Sequence, residues 1–151
     1  MGVYSFQDVA AAIVGVGGSV NLGAGSAVAE GGITVEATGE KSTMVIGANG
    51  DGMHSLAADN SSTVTVRMLK TSAVNAILQL MYELQTASSV LHGRNVITIR
   101  DIARGDVVTL TGVAFKKRPT LTYAKEGGEI EWTFDAANTT VVLGIGIPEI
   151  L

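Results

Sequence analysis

The chain has 151 residues, a length that fits one domain with a substantial core. Hydrophobic residues make up 46% of it and charged residues only 16%, whereas soluble domains average about 25% charged residues. The net charge of −4 argues against a dedicated nucleic-acid-binding protein, and the absence of cysteine excludes disulfides and thiolate metal sites.

The excess of apolar residues predicts burial between subunits rather than in a membrane. The best apolar stretch, residues 9–20, is shorter than the ~20 residues that a spanning helix needs. Gly15, Gly17 and Gly18 interrupt it, and it lacks the basic start and cleavage site of a signal peptide. Obligate subunit interfaces are more hydrophobic than ordinary surface, so we expect an oligomer and no membrane partner.

Short alternating runs indicate an antiparallel sheet. Apolar and polar residues alternate at residues 33–36, 63–68 and 130–135 and partly at residues 96–100, and clusters of glycine separate such runs. Alternation with a period of two gives a strand one buried face and one solvated face. The sequence therefore predicts a mainly β, antiparallel fold.

The stretch at residues 37–62 differs from its surroundings. It is rich in Gly, Asn, Asp and Ser, with one apolar patch at residues 44–46. Connections of this length inside a compact domain are usually functional or disordered. We interpret it as a long loop or an extended hairpin arm that serves assembly.

One amphipathic helix is predicted near residues 73–87. The steps of three and four between its apolar positions place them on one helical stripe. Ser72 is the predicted N-cap, and Gly93 follows the end of the stripe. The stripe consists of Val74, Ile77, Leu78, Met81 and Leu84.

Two hairpins are predicted in the last third of the chain. Residues 95–102 and 107–116 flank a turn that contains Gly105. Residues 121–124 and 129–135 flank Gly127 and Gly128, which would supply the positive φ angles of a tight turn. Pro119 lacks a donor for a β-ladder and would separate the two units.

The final strand has a clear division between its faces. Ile130, Trp132 and Phe134 fall on one face, and Glu129, Glu131 and Asp135 fall on the other. Carboxylates spaced along one strand could flank a substrate in a hydrolase. The ordinary interpretation is a solvated sheet face or the lining of a channel.

No motif predicts a catalytic, cofactor-binding or metal-binding residue. His54 and His92 have no second histidine nearby, as a zinc site would require. Glu40 stands where a P-loop needs glycine before Lys41. The glycine-rich residues 23–28 end in valine with no helix to follow, and residues 49–52 supply too few acidic ligands for calcium.

The only dense basic cluster consists of Lys116, Lys117 and Arg118. It is interpreted as a solvated strand end or an ion-pairing edge rather than as a nucleic-acid site, because a binding protein would carry a larger basic surface.

Several strings carry a family resemblance. They lie at the start of the chain, before and into the predicted helix, and in the last third: residues 3–9, 68–76, 113–125, 127–128 and 131–136. These strings resemble tail tube proteins of contractile-tailed bacteriophages. Together they span essentially the whole chain, which suggests a single tail-tube-like domain at residues 1–151.

The resemblance implies a β-sandwich or barrel subunit with one helix. Six subunits would form a ring, and stacked rings would form a hollow tube inside a contractile sheath, through which DNA passes without specific binding. Its partners would be other copies of itself, the tail sheath, baseplate and tail terminator proteins, and a tape measure protein in the lumen. The location would be the virion tail, after synthesis in the host bacterial cytoplasm.

Three alternatives stay open at this point. The tube could belong to a tailocin or a type VI-like secretion apparatus. The chain could instead be a small ligand-binding β-barrel module. An enzyme is the third alternative, but the sequence predicts that the chain is not one, because that alternative would rest only on the carboxylates Glu129, Glu131 and Asp135.

Overall fold

A computed structural model describes residues 2–23, 25 and 28–144 of the chain. A short 3-10 turn at Phe6–Asp8 precedes the first strand. The elements that follow are β1 (Val9–Gly15), β2 (Gly18–Asn21), β3 (Val28–Ala37), β4 (Ser42–Ile46), β5 (Gly52–Leu56), β6 (Ser62–Leu69), α1 (Val74–Thr86), β7 (Asn95–Asp101), β8 (Asp106–Lys117) and β9 (Glu129–Val142).

Seven strands form one antiparallel sheet in the order β2-β1-β7-β8-β9-β6-β3, and β4 pairs with β5 in a separate hairpin. Val20 of β2, at one edge, and Ile33 and Val35 of β3, at the other, pack with the same core cluster. The sheet therefore curves around its core. The predicted mainly β fold with a single helix is confirmed for the described part of the chain.

The core lies between the inner face of the sheet and α1. Phe115 is at its centre, with ring centroids 5.7 Å from Tyr82, 5.9 Å from Trp132 and 4.8 Å from Phe134. The first two contacts are edge-to-face, which favours aromatic pairs beyond simple burial. The alternation read from residues 130–135 thus places Trp132 and Phe134 in the interior.

The helix begins and ends within one residue of the prediction. Leu78 and Met81 of the predicted stripe are fully buried, whereas Ile77 and Leu84 are partly exposed beside the β1–β2 turn. The predicted N-cap is wrong by one residue, because Ala73 takes the cap position and makes no side-chain cap hydrogen bond. Ser72 lies just before it, and its hydroxyl still accepts a hydrogen bond of 3.3 Å from the Val74 amide. No helix in the described residues is both long and apolar enough to cross a membrane.

The first predicted hairpin is confirmed. Strands β7 and β8 pair with Asp101 opposite Asp106, and Gly105 takes a φ of 82° in the turn between them. This is a left-handed conformation that glycine adopts without steric cost. The Asp101 carboxylate accepts a 3.2 Å hydrogen bond from the Arg104 amide and closes the turn.

The second predicted hairpin is wrong. Residues 121–124 form no strand, and β9 pairs with β6 and β8 instead. The Lys70 amino group donates to the Thr122 carbonyl and lies 3.7 Å from the centroid of the Tyr123 ring, so this segment contacts the residue that follows β6 instead of forming a strand. Neither Gly127 nor Gly128 has a positive φ, because no tight turn is made there.

A buried pair of amides connects the end of α1 to the sheet. Gln85 Nε2 donates to Asn95 Oδ1 and to the Val16 carbonyl, each at 2.8 Å. Asn95 Nδ2 donates to Gln85 Oε1 at 2.6 Å and to the Val113 carbonyl at 3.0 Å. Buried amides are costly unless they are hydrogen-bonded, so this closed network favours one position of the helix on the sheet.

Replacing Gly15 tests this network, because an added Cβ would overlap Asn95 Oδ1. We expect Gly15→Ala to lower the free energy of unfolding by about 2–3 kcal/mol, through overpacking and a disturbed amide pair. Gly127→Ala is the matched control, since a Cβ there meets nothing within 4 Å. Urea denaturation of both variants checks the difference, and equal stabilities would contradict it.

Candidate assembly surfaces

The outer face of β3, β6 and β9 is polar, as predicted for the last strand. Glu129, Glu131 and Asp135 are all exposed. Glu131 pairs with Arg67 at 3.4 Å, and Asp135 lies 3.5 Å from the Thr63 hydroxyl. The side chains on this face are therefore mostly polar, and several of them are carboxylates.

The hairpin formed by β4 and β5, hereafter the arm hairpin, is exposed at every residue of both strands. Val45 opposes Met53, and Met44 opposes His54 one position away, so apolar side chains lie on both faces. An isolated two-stranded hairpin is marginally stable in water. Its apolar side chains, more than half exposed, are Met44, Val45, Ile46, Met53 and Leu56.

The base of the arm hairpin is tied together by hydrogen bonds. The Lys41 amino group donates to the Asn60 side chain at 2.8 Å and to the Asp59 carbonyl at 3.3 Å. The Ser61 amide donates to Asp59 Oδ1 at 2.8 Å, and the Thr38 amide donates to the Ser61 carbonyl at 3.1 Å. These bonds hold the two connections together, so the arm hairpin projects as one unit.

Strand β9 has an open edge. Its partner β6 begins at Ser62, opposite Ala136, so residues 137–142 pair only with β8 among the described strands. Val141 and Val142 are exposed by 52% and 57%. An open strand edge offers backbone donors and acceptors to another chain.

A groove of about 860 Å³ lies between α1 and the segment after β8. We call it the α1 groove. The Trp132 indole donates to Asn75 Oδ1 at 3.1 Å, and Asn75 donates to the Leu69 carbonyl at 2.9 Å, which fixes one wall. The lining residues are Asn75, Ala76, Gln79, Tyr82, Arg118, Pro119, Thr120, Leu121, Ile130 and Trp132.

One member of the basic cluster reaches this groove. Lys116, Lys117 and Arg118 are exposed where β8 ends, and Arg118 also lines the groove. Sequence reasoning identified the cluster as a solvated strand end but missed the groove beside it. The buried Pro119 and the exposed Leu121 were the signals available, and only the path of residues 118–128 past α1 gives them meaning.

A profile of the Bacteriophage PhiTE tail tube protein family matches residues 1–144. The chain belongs to this family. It is therefore a structural tail tube protein, in agreement with the resemblance seen in the sequence. No curated protein sequence gives a significant match.

Solved structures share the fold of this tail tube protein. A chain of the PVC extracellular contractile injection system, from its sheath–tube complex in the extended state, has a TM-score of 0.61 at 9% identity and covers 93% of this chain and 91% of that chain. A chain of the anti-feeding prophage baseplate has a TM-score of 0.59 at 10% identity, with 94% and 96% covered. The anti-feeding prophage tube-terminating cap gives 0.55 at 12%, with 95% and 93% covered.

The residues weighed for chemistry stay apart in the tail tube protein. His54 lies in β5 and His92 follows α1, and both are exposed. Lys41 belongs to the base of the arm hairpin. Residues 49–51 lie in its turn, with Gly50 at a φ of 87°, and Gly52 begins β5. Residues 24, 26 and 27 of the glycine-rich stretch lie outside the described residues. Within the described residues, no three His, Asp or Glu side chains are grouped to hold a metal ion.

Asp59 provides a test of the arm base. Hydrogen bonds from the Ser61 side chain and backbone lower the pKa of Asp59 below its ordinary value of 3.8. Because the folded-state pKa is lowered, its stabilising effect is present above the ordinary pKa and is lost as the pH falls through the lowered one. We expect Ser61→Ala to raise the pKa of Asp59 and so move this loss to higher pH.

The measurement is an NMR titration of the Asp59 side-chain carbonyl in the unassembled subunit. Ser55→Ala, an exposed serine of β5, is the control and leaves the Asp59 titration unchanged. An Asp59 midpoint that does not move in Ser61→Ala would contradict the hydrogen-bonded arm base.

Proposed function

We propose that the chain builds the wall of a bacteriophage tail tube, stacking as hexameric rings into a hollow conduit inside a contractile sheath. The observation that carries this proposal is the family match over residues 1–144. The exposed surfaces described above support it, since each is suited to contact with another copy.

These exposed surfaces favour a closed ring or a stack of subunits over a dimer. The arm hairpin, the open edge of β9 and the edge strands β2 and β3 are different surfaces, and head-to-tail contact between different surfaces gives rings or filaments. Joining sheets around a ring would also remove exposed strand edges. The high apolar fraction of the chain would then be buried between subunits.

The polar outer face of the sheet is the proposed lumen lining. Glu129, Glu131 and Asp135 would repel DNA phosphates at short range, so the genome would pass without adhering. Arg67 offsets one of these charges through its ion pair with Glu131. The lining is therefore weakly acidic rather than strongly charged, which suits passage of a polyanion.

The proposed partners follow from a tube inside a contractile tail. They are the tail sheath outside, the baseplate and tail terminator proteins at the two ends, and the tape measure protein in the lumen. The chains of similar fold come from a sheath–tube complex, a baseplate and a tube-terminating cap, which supports this set. We infer a location in the virion tail after synthesis in the host bacterial cytoplasm.

We also propose that the subunit has no enzymatic activity. The family is structural, and the carboxylates Glu129, Glu131 and Asp135 serve the polar face instead of a substrate. A ligand-binding barrel is disfavoured because Trp132, Phe134 and Met68 fill the inside of the curved sheet. A tailocin or injection-system tube would use the same subunit architecture.

Electron microscopy of the concentrated protein tests the proposal. We expect rings with a central hole and stacks of such rings, because the apolar and open-edge surfaces are covered only in an assembly. Sedimentation velocity over a range of concentrations provides the control for aggregation. A protein that stays monomeric at high concentration would overturn the proposed function.

Removing the arm hairpin separates folding from assembly. Replacing residues 42–56 with Asn-Gly deletes β4 and β5, which belong to neither the seven-stranded sheet nor the core cluster. We expect an unchanged circular dichroism melting temperature within about 3 °C, because the core is intact, but no long tubes. Rings that still stack into tubes of normal length would contradict a role for this segment between rings.

A further inference from the structure

We propose that the tip of the arm hairpin of one copy inserts into the α1 groove of the copy in the next ring, where Asp51 pairs with Arg118. This inference rests on the proposed function and specifies its ring-to-ring contact. Neither surface is covered by its own chain among the described residues. The two surfaces are different, as a repeating head-to-tail contact requires.

Their positions along β6 suit axial stacking. The arm hairpin leads into the start of this strand at Ser62. The other end of the strand pairs Met68 with Ile130, which lines the α1 groove. A strand of eight residues spans roughly 25 Å, so hairpin and groove lie at opposite ends of the subunit. A hairpin pointing out of one end therefore meets the groove of a copy stacked beyond it.

The shapes of the two surfaces are complementary. The turn at residues 47–51 is built from glycine, alanine, asparagine and aspartate, so the tip is slim. Behind it, Ile46 and Met53 are exposed by 56% and 60%. The groove has the volume of a ligand pocket, and Pro119, Leu121 and Trp132 are among its lining residues. The tip would enter the α1 groove, and Ile46 and Met53 behind it would pack against the apolar lining residues.

The charges of the two surfaces are also complementary. Asp51 is the only charged residue between Lys41 and Asp59, and it is exposed at the tip. Arg118 lines the groove and is exposed, and no acidic residue is among the other lining residues. Opposite charges on facing surfaces fix the register of a contact and speed association. A guanidinium can bind a carboxylate through two parallel hydrogen bonds.

A charge exchange tests the pairing. We expect Asp51→Arg or Arg118→Asp to reduce the fraction of stacked rings roughly tenfold or more, because like charges then face each other across the contact. The double variant D51R/R118D restores the opposite charges and should recover much of the stacking. Glu40→Arg and Arg94→Asp, both exposed and outside these surfaces, are the matched controls.

Cross-linking tests the contact without relying on charge. The chain contains no cysteine, so Asn49→Cys at the tip and Thr120→Cys in the groove each introduce a single thiol. We expect a short bismaleimide to join a mixture of these two variants into dimers. A mixture of Asn49→Cys with Ser89→Cys, a site beyond the far end of α1, should give few dimers.

The outcomes separate this contact from the proposed function. Wild-type tubes together with unaffected stacking in both single charge variants, or with equal cross-linking at Ser89 and Thr120, would overturn the contact and leave the tube subunit intact. A wild-type protein that forms no assembly and no tip-to-groove cross-link would overturn both. Loss of stacking in the single variants with recovery in the double variant would support the contact.

Discussion

The backbone ladder of β9 is the interaction on which the rest of the structure depends. This strand has 14 residues, and it pairs with β6 through Ala136 and with β8 as far as Val142. The strands on the two sides of β9 therefore pair with different parts of its length, so they are offset from each other. The offset determines where β6 begins, and so where the arm hairpin leaves the sheet and where the edge of β9 becomes open.

The same strand separates the interior from the outer surface. Trp132 and Phe134 point inward to Phe115, while Glu131 and Asp135 point outward. Because a strand alternates strictly, its ladder fixes both the core and the polar face at once. The Gln85–Asn95 amide pair then holds α1 in place, and the N-terminal turn of the helix becomes a wall of the α1 groove.

Local pattern was sufficient to predict much of this fold. The alternation at residues 130–135, the helical stripe around Leu78 and Met81, and the β7–β8 hairpin each depend on neighbours in the sequence. The failed hairpin at residues 121–124 depends on a distant residue, because Lys70 holds Thr122 and Tyr123. Short alternating runs cannot show which strand they will meet.

Some of the assembly surfaces could be predicted from local sequence, and others could not. The polar face of β9 and the unusual composition of residues 37–62 were visible in the sequence. The open edge of β9 and the α1 groove were not. The open edge arises from the register of β6 on β9, and the groove arises where residues 118–121 pass α1, and both bring together segments that are far apart along the chain. In the sequence Arg118 is only a basic residue at a strand end, whereas in the structure it lines a groove together with Trp132 and Leu121.

The isolation of the arm hairpin also affects how a tube would grow. A hairpin that lies outside the core cluster would lose conformational entropy on docking, so one docked tip would bind weakly. The proposed ring would present several tips at once, and after the first had docked the others would act at high effective concentration. Under the proposed contact, growth by complete rings would be favoured over addition of single subunits.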